Sequence, residues 1–323
     1  MRGVILDALS LGANVALDPI TQLLDHWTVF DATREEALYD RLVGVDIVLT
    51  NKVPLHRACL ADHPSLKFIS VMATGTNNID IAAAAAQGIQ VANAVDYATP
   101  SVSQHTFALI LNLATQQPRY FTDTQEGKWQ DSPVFCRLDY PITELTGKTL
   151  GIIGWGALGQ AVARLAEAFG MRVVAAEPQA KTDPNKHQPP VNRLPLEQLL
   201  ATADVVTLHC PLTPANQQLM NAETLSQMKP SAFLINTARG GLVDTQALLN
   251  ALDAGGIAGA AIDVLTEEPP LTDELMLAVP RPNLLITPHN AWGAIESRQR
   301  LVHQMAENIQ AYLQGEPIRL VQG

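Results

Sequence analysis

The stretch from Leu150 to Gly159 constrains the fold of this chain more than any other. Its sequence is LGIIGWGALG, in which a short apolar run enters three glycines with the spacing GxGxxG. An alanine-rich helical pattern follows from Gln160 to Phe169, and a second apolar run, residues 173–176, ends at Glu177. A strand, a glycine-rich turn and a helix in this order predict a dinucleotide-binding βαβ unit.

Each glycine of this motif, and the acid that follows, has a physical role in such a unit. Gly154 permits a tight turn, Gly156 lets the backbone approach a pyrophosphate, and Gly159 lets the helix pack closely on the strand. The free N–H groups at the start of the helix then face the anion. Glu177 follows Gly159 at the distance at which a carboxylate accepts hydrogen bonds from the adenosine ribose.

Composition excludes several other classes of protein. The 323 residues suffice for about two domains, and 47% of them are hydrophobic, which excludes a disordered chain. The net charge of −11 argues against a nucleic-acid surface, and no apolar run is long enough to cross a bilayer. The cysteines and histidines show no zinc-ligand spacing, so no metal site is predicted.

The N-terminal residues Gly3–Asp7 predict a first strand rather than a signal peptide, because the apolar run is short and soon followed by an acid. The three cysteines, Cys59, Cys136 and Cys210, are odd in number and far apart, as is usual for reduced thiols in a cytosol. We therefore expect a soluble, cytoplasmic protein.

The rest of the chain alternates short apolar runs with helical patterns, which predicts an α/β fold with two open parallel sheets. A helix over Ser101–Thr115, headed by Pro100, is expected to connect the two halves, and residues 120–148 are expected to be irregular. The final helix, Glu296–Gln314, has one apolar face. Expected strands and helices of the first half are Val4–Leu6, Val45–Leu49, Phe68–Val71, Gln90–Ala92, Pro19–His26 and Ile81–Gln87. Expected strands of the second half are Leu150–Ile153, Arg172–Ala176, Val205–Leu208, Phe233–Ile235, Ala258–Ile262 and Leu284–Ile286.

Ligands of open α/β sheets bind beyond the carboxyl ends of the strands, so the residues after each strand are candidate contacts. Three of these residues form a set with one chemistry: Arg239, Glu268 and His289. Arginine binds a substrate carboxylate with two parallel hydrogen bonds, and histidine titrates near neutrality, so it can give a proton to a developing alkoxide. A carboxylate beside that histidine fixes its tautomer and stabilises the imidazolium. The set predicts hydride transfer to a 2-keto acid, with Arg239 anchoring substrate, Glu268 orienting the histidine and His289 as general acid and base.

Two of these assignments have alternatives in the sequence. Glu267 stands directly beside Glu268, and His209 also follows a predicted strand. His105 falls within a predicted helix, which favours a structural role.

The motifs around these residues resemble those of the NAD-dependent D-2-hydroxyacid dehydrogenases over nearly the whole chain. Residues 236–240 (NTARG) resemble the family's arginine motif, and residues 287–292 (TPHNAW) its histidine motif. In residues 263–269 (DVLTEEP) the family's catalytic acid directly precedes proline, which favours Glu268. Ser101–Thr106 resembles the helix that links the family's two domains, although the family more often has glutamate at the position of Gln104. Within the family, residues 73–80 and 129–136 are most similar to glycerate dehydrogenases, also called hydroxypyruvate reductases.

This resemblance implies an architecture and a partner. It implies a flavodoxin-like substrate domain made of residues 1–98 and 290–323, and a larger Rossmann-type NAD-binding domain made of residues 99–289, with the catalytic cleft between them. It also implies a homodimer formed through the NAD-binding domains.

The resemblance further implies that backbone amides around Ala73, Thr74 and Gly75 hold the substrate carboxylate together with Arg239, and that Asp263 meets the nicotinamide end of the cofactor. Glu177 stands where the family more often has aspartate, and its carboxylate repels a 2′-phosphate, so NAD(H) is expected over NADP(H). The full set of expected cofactor contacts is Gly154, Gly156, Ala157, Leu158, Gly159, Glu177, Cys210, Pro211, Thr237, Ala238, Asp263 and His289.

The expected reaction is the reversible reduction of hydroxypyruvate to D-glycerate by NADH. Glyoxylate, pyruvate and a phosphorylated hydroxypyruvate are alternative substrates. The phosphorylated one is disfavoured because residues 72–80 contain no arginine or lysine. A protein of another class, an NAD(H)-sensing binding module, is the remaining alternative, but a sensor has no need of Arg239, Glu268 and His289 as a set.

Overall fold

The computed structural model of the protein describes residues 1–178 and 191–321, and these form two compact units. In chain order the strands are β1 (Arg2–Ile5), β2 (His26–Val29), β3 (Ile47–Thr50), β4 (Phe68–Val71), β5 (Gln90–Ala92), β6 (Thr149–Ile153), β7 (Arg172–Ala176), β8 (Asn192–Leu194), β9 (Val205–Leu208), β10 (Phe233–Asn236), β11 (Gly259–Ile262) and β12 (Leu284–Ile286).

The α-helices, in the same order, are α1 (Asp18–Thr21), α2 (Glu35–Leu42), α3 (Arg57–Ala61), α4 (Ile81–Ala86), α5 (Thr99–Thr115), α6 (Gln117–Gln125), α7 (Ala157–Ala168), α8 (Leu196–Thr202), α9 (Ala222–Ser226), α10 (Thr245–Asp253), α11 (Leu275–Ala278) and α12 (Ile295–Leu313). Short 3₁₀ helices span Ala8–Leu11 and Gly240–Leu242.

The first unit comprises residues 1–98 and 293–323 and contains a five-stranded sheet. The strand order is β2-β1-β3-β4-β5 and every pairing is parallel. This is the flavodoxin-like order. The predicted apolar face of α12 is confirmed, because Leu301, Met305 and Ile309 are all fully buried. The ring of Tyr312 stacks on Phe68 of β4, with 4.5 Å between the ring centroids.

The second unit, residues 99–292, contains a seven-stranded parallel sheet in the order β12-β11-β10-β9-β6-β7-β8. If β6 is counted as the first strand, the order is 7-6-5-4-1-2-3, which is the doubly wound Rossmann order with one more strand. The predicted fold class is confirmed. The helix predicted behind Pro100 is confirmed as α5, whose residues Phe107, Ile110 and Leu113 are buried in the core that also receives α7. Strand β6 is buried along its whole length, as expected of a central strand in a parallel sheet.

Three local predictions were wrong. The helix predicted over Pro19–His26 is only α1, and His26–Val29 forms the edge strand β2. The edge strand β8 was missed, and α6 occupies the start of the segment predicted to be irregular. Strands β2 and β8 have no fully buried residue, so they lack the apolar runs that identified the central strands.

Candidate active site

The glycine-rich turn connects β6 to α7 with the backbone geometry predicted for a dinucleotide site. Gly154 has a φ of +107°, a conformation that side chains rarely adopt. A Cβ atom on Gly159 would collide with the carbonyl oxygen of Gly154, so only glycine lets the helix sit this close to the turn. A Cβ atom on Gly156 would meet nothing within 4 Å, so the turn is open at this position.

The turn lies at the point where the strand order reverses, since β6 has β7 on one side and β9 on the other. A Cβ atom on Gly154 would lie 2.5 Å from the carbonyl carbon of His209 and 2.6 Å from the backbone nitrogen of Cys210, directly after β9. The two loops therefore line one crevice, which is where doubly wound sheets bind nucleotides. The exposed Ala157 and the half-buried Leu158 start the helix at this crevice.

The other predicted cofactor contacts lie at the carboxyl ends of neighbouring strands. Glu177 is exposed directly after β7, and its N–H donates to the carbonyl oxygen of Leu194 at 2.9 Å. Pro211 follows β9, and its carbonyl oxygen accepts from Nδ2 of the buried Asn216 at 2.8 Å. Thr237 follows β10 and its hydroxyl lies 3.0 Å from that of Thr106. These residues fit a dinucleotide laid along the carboxyl edge of the sheet.

Arg239 is held by a turn that its neighbour Asn236 builds. The fully buried Asn236, at the end of β10, accepts from Ala238 N at 3.0 Å and donates through Nδ2 to the carbonyl oxygen of Arg239 at 2.8 Å. The Nη1 of Arg239 donates to the carbonyl oxygen of Ala238 at 2.7 Å. A Cβ atom on Gly240 would collide with the Leu265 carbonyl, so the loop of Arg239 abuts the loop that follows β11.

Glu268 and His289 are in direct contact. The Nδ1 of His289 lies 2.5 Å from Oε2 of Glu268, and the other carboxylate oxygen, Oε1, accepts from Leu265 N at 2.9 Å. Their side chains are 27% and 29% exposed for the histidine and the glutamate. Because an ionised carboxylate only accepts, Nδ1 carries the hydrogen of this bond and Nε2 is left to exchange a proton with a ligand.

The position of His289 depends on Asp263, which follows β11 and is buried. Oδ1 of Asp263 accepts from the Thr287 hydroxyl at 2.5 Å and from Asn290 N at 3.1 Å, while Oδ2 accepts from Ala291 N at 3.1 Å. Its carbonyl oxygen accepts from His289 N at 2.8 Å. Asp263 thus fixes both sides of the turn in which His289 adopts a φ of +49°.

The structure separates the competing candidates. Glu268 contacts the histidine, whereas the exposed Glu267 forms no hydrogen bond or ion pair within residues 1–178 and 191–321. Burial lowers the pKa of His209 to about 4, so this ring is neutral near pH 7, and its Nε2 lies 2.9 Å from the Thr207 hydroxyl. A ring that is neutral near pH 7 and bonded to its own strand is poorly suited to acid–base work at that pH.

Two contributors were not found from the sequence. The turn-forming role of Asn236 could have been predicted from the sequence, since asparagine side chains commonly hydrogen-bond the backbone two residues further along the chain. His105 of α5, which is expected to be structural, has its Nε2 3.1 Å from the Thr287 hydroxyl and 3.5 Å from Oδ1 of Asp263. That contact joins residues far apart in the chain and has no local signal.

The predicted substrate loop belongs to the first unit and follows β4. The carbonyl oxygens of Ala73 and Thr74 are bonded, to Ala94 N at 3.0 Å and to Asn93 Nδ2 at 2.7 Å. The N–H groups of Thr74 and Gly75 have no acceptor in the described part of the chain. These two amides are therefore available to an anionic ligand.

Among residues 1–178 and 191–321 no group of three or more histidine, cysteine or acidic side chains could hold a metal ion. Within the same ranges no helix has the length and apolar character needed to cross a bilayer.

Residues 107–291 match the family model described as "D-isomer specific 2-hydroxyacid dehydrogenase, NAD binding domain". The chain is 44% identical over 287 residues to a glycerate dehydrogenase of Methylorubrum extorquens, covering 89% of this chain and 88% of that protein. It is 36% identical to a hydroxypyruvate reductase of Blautia hydrogenotrophica, covering 99% of both. A solved acyclic imino acid reductase in complex with NADPH and D-Arg has 26% identity and a TM-score of 0.86, with 100% of each chain covered.

The family model covers more than half of the chain, and the two relatives extend the likeness to nearly all of it. The matched region holds the glycine-rich turn, Arg239 and the Glu268–His289 pair described above. The chain belongs to the D-isomer specific 2-hydroxyacid dehydrogenase family.

Proposed function

We propose that the protein catalyses the reversible reduction of hydroxypyruvate to D-glycerate with NADH. The observation that carries this proposal is the contact between His289 and Glu268, one strand away from Arg239. Arg239, Glu268 and His289 follow β10, β11 and β12, which are neighbours in the sheet that also carries the glycine-rich turn. An anion anchor, an acid–base group and its orienting carboxylate thus lie at the edge where a dinucleotide binds.

In the proposed mechanism NAD(H), when bound, supplies or accepts the hydride at C2 of the substrate. The guanidinium of Arg239 binds the substrate carboxylate and places positive charge near the carbonyl oxygen. The Nε2 of His289 donates a proton to that oxygen during reduction and recovers it during oxidation. Glu268 holds Nδ1–H, which keeps Nε2 directed at the substrate and stabilises the ring in its charged form.

The choice of a small, unphosphorylated substrate rests on the loop after β4. Residues 72–80 contain no arginine or lysine, whereas Thr74 and Gly75 offer two unpaired backbone N–H groups. Two amides suit one carboxylate, which every 2-keto acid has. The named activities of the two relatives favour hydroxypyruvate within this class.

We further infer that NADH is preferred over NADPH. Glu177 is exposed at the end of β7, directly beside the strand that leads into the glycine-rich turn. A carboxylate at this place binds ribose hydroxyls and repels a 2′-phosphate.

Steady-state kinetics with a panel of 2-keto acids test the proposed substrate and the proposed cofactor preference together. We expect the highest kcat/KM for hydroxypyruvate with NADH, compared with glyoxylate, pyruvate and phosphohydroxypyruvate, and a lower value with NADPH for each of them. A clear preference for pyruvate would contradict the glycerate assignment. Tight NADH binding without turnover of any 2-keto acid would favour the alternative of an NAD(H)-sensing protein.

A homodimer is the third part of the proposal, and the segment after α5 supports it. This segment exposes large apolar side chains, among them Phe135 at 89% and Leu138 at 76%. The segment is nevertheless held by internal hydrogen bonds, because the buried Asp123 accepts from Lys128 Nζ at 2.7 Å and from the Tyr140 hydroxyl at 2.8 Å. A rigid surface with exposed apolar groups favours a second copy of the chain as its partner.

Sedimentation velocity tests this interface. The double change Phe135→Ser and Leu138→Ser should convert dimer to monomer, whereas Leu9→Ser, which alters an exposed leucine of the first unit, should not. A wild-type monomer at all concentrations would refute the dimer. We also propose a cytoplasmic location, on the odd number and wide separation of the three cysteines.

A further inference from the structure

The first two turns of α5 contact the turn that carries His289 at both of its ends. Ser101 and His105 are four residues apart and therefore lie on one face of this helix. The hydroxyl of Ser101 donates to the carbonyl oxygen of Ala291 at 2.6 Å. At the other end of the turn, Nε2 of His105 lies 3.1 Å from the Thr287 hydroxyl. The turn is thus held from outside at its first and last residues.

The chemistry of the two groups gives the direction of the contact between His105 and Thr287. The Thr287 hydroxyl has one hydrogen, which it donates to Oδ1 of Asp263 at 2.5 Å. Its oxygen can then only accept from Nε2, so His105 is the tautomer with its hydrogen on Nε2. The same Nε2 lies 3.5 Å from Oδ1 of Asp263, and among residues 1–178 and 191–321 it is the one basic side-chain nitrogen within 4 Å of that carboxylate.

His289 needs this support because its backbone conformation is unfavourable. Its φ of +49° lies in the left-handed region, which residues with a side chain seldom adopt unless their surroundings hold them there. The ring must also keep Nδ1 on Glu268 if Nε2 is to serve the substrate. The carboxylate of Asp263 accepts from the backbone of Asn290 and Ala291, directly after the histidine. A displacement of this carboxylate is therefore passed on to the histidine ring.

We propose that His105 is a positioning residue for the acid–base histidine. It acts through the Thr287 hydroxyl and the Asp263 carboxylate, and so keeps the ring of His289 on Glu268. This inference rests on the proposed function, since it assigns His105 a task toward the group that transfers the proton. A merely structural role would affect stability alone. The positioning role predicts a loss of kcat at unchanged NADH affinity, and its recovery by another donor at the same place.

Substitutions at residue 105 separate the hydrogen-bond donor from the bulk of the ring. His105→Leu cannot donate, whereas His105→Gln can place an amide N–H close to the position of Nε2. We expect His105→Leu to lower kcat for hydroxypyruvate about 10- to 100-fold, because a small displacement of a catalytic group costs this much. KM and NADH affinity should stay within about twofold, and His105→Gln should keep kcat within about threefold of wild type. His303→Leu, the same change at an exposed histidine of α12, is the matched control and should keep full kcat.

The tautomers of the histidine rings give a readout that does not depend on turnover. In protein labelled with ¹⁵N-histidine, long-range ¹H–¹⁵N spectra at about pH 8.5, where ordinary histidine rings are neutral, show which ring nitrogen carries the hydrogen. Among the eight histidines, the signals of His105 and His289 are those lost in His105→Gln and His289→Ala. We expect the hydrogen on Nε2 in His105 and on Nδ1 in His289. In His105→Leu the His289 signals should move toward a mixture of both tautomers, because the ring leaves Glu268.

Full kcat in His105→Leu, or an unchanged His289 tautomer in that variant, would overturn the proposal. His105→Asn covers the case in which His105→Leu does not fold, since its amide is too short to reach Thr287; equal kcat in His105→Asn and His105→Gln would also overturn it. A wild-type protein that turns over no 2-keto acid, but whose His289 tautomer still responds to His105→Leu, would refute the proposed function and leave the positioning contact supported.

Discussion

Replacing Glu268 by glutamine removes one negative charge and keeps the shape of the side chain. The change leaves an oxygen to accept from Leu265 N, so the loop after β11 should hold its position. The bond that changes is the one to His289 Nδ1. With its oxygen on Leu265 N, the glutamine presents its amide nitrogen to Nδ1, which cannot accept a hydrogen bond. A charged imidazole therefore loses its acceptor, and the proton-transfer step should slow.

The size of the effect follows from the geometry. A hydrogen bond to a charged group contributes about 1.5–3 kcal/mol. The two side chains are 27% and 29% exposed, so solvent screening favours the lower part of this range, about 1.5–2 kcal/mol. At 1.36 kcal/mol for each factor of ten, Glu268→Gln should lower kcat about 10- to 30-fold.

The assay is NADH oxidation at saturating hydroxypyruvate, with NADH affinity measured separately by fluorescence. Glu267→Gln is the matched control. It removes the same charge from the neighbouring residue, whose side chain is exposed. We expect kcat of the control within about twofold of wild type, and NADH affinity unchanged in both variants. Equal losses in the two variants, or a Glu268→Gln enzyme with nearly full kcat, would refute the assigned contact.

His289→Ala should lower kcat by about two to four powers of ten while NADH affinity stays nearly intact; a loss confined to NADH binding would contradict its acid–base role. Arg239→Lys should raise KM for the keto acid sharply, because an ammonium group cannot form the two parallel bonds of a guanidinium; a near-normal KM would exclude Arg239 as the carboxylate anchor. Burial lowers the pKa of His209 from 6.5 to about 4, so between these values the unfolded chain binds a proton that the folded chain does not. Stability should therefore fall as the pH drops through this window, with His209 contributing about 2 kcal/mol of the loss between pH 7 and pH 5. Urea unfolding at the two pH values should show a smaller loss in His209→Asn, and an identical loss would place the titration elsewhere.

The sequence predicts the central strands of both sheets well, because a strand buried on both faces must be apolar along its length. Strand β11 illustrates this, since all four of its residues are buried and none has a polar side chain. The edge strands β2 and β8 escape prediction for the same reason. Their residues are half-exposed or exposed, so neither an apolar run nor a strict alternation marks them.

Within the candidate site, the residue types and the loops that carry them are predictable, since they follow from strand ends and from the needs of the chemistry. The pairing of Glu268 with His289 is also predictable, from the chemistry and from the resemblance that favours the acid before proline. The bonds that hold the pair are not: nothing in the local sequence shows that Asp263 binds the turn of His289 with both carboxylate oxygens. These bonds depend on how neighbouring strands are placed, which is a property of the folded sheet.

Arg239, Glu268 and His289 all depend on one sheet, whereas Ala73, Thr74 and Gly75 follow a strand of another. In the proposed function, proton transfer and one of the two groups that hold the substrate, the amides of Thr74 and Gly75, are therefore encoded in separately packed parts of the chain. Descendants of such a protein can then acquire a new acid as substrate by altering a single loop, without disturbing proton transfer. This separation favours the evolution of related enzymes that apply one proton-transfer chemistry to many different 2-hydroxy acids.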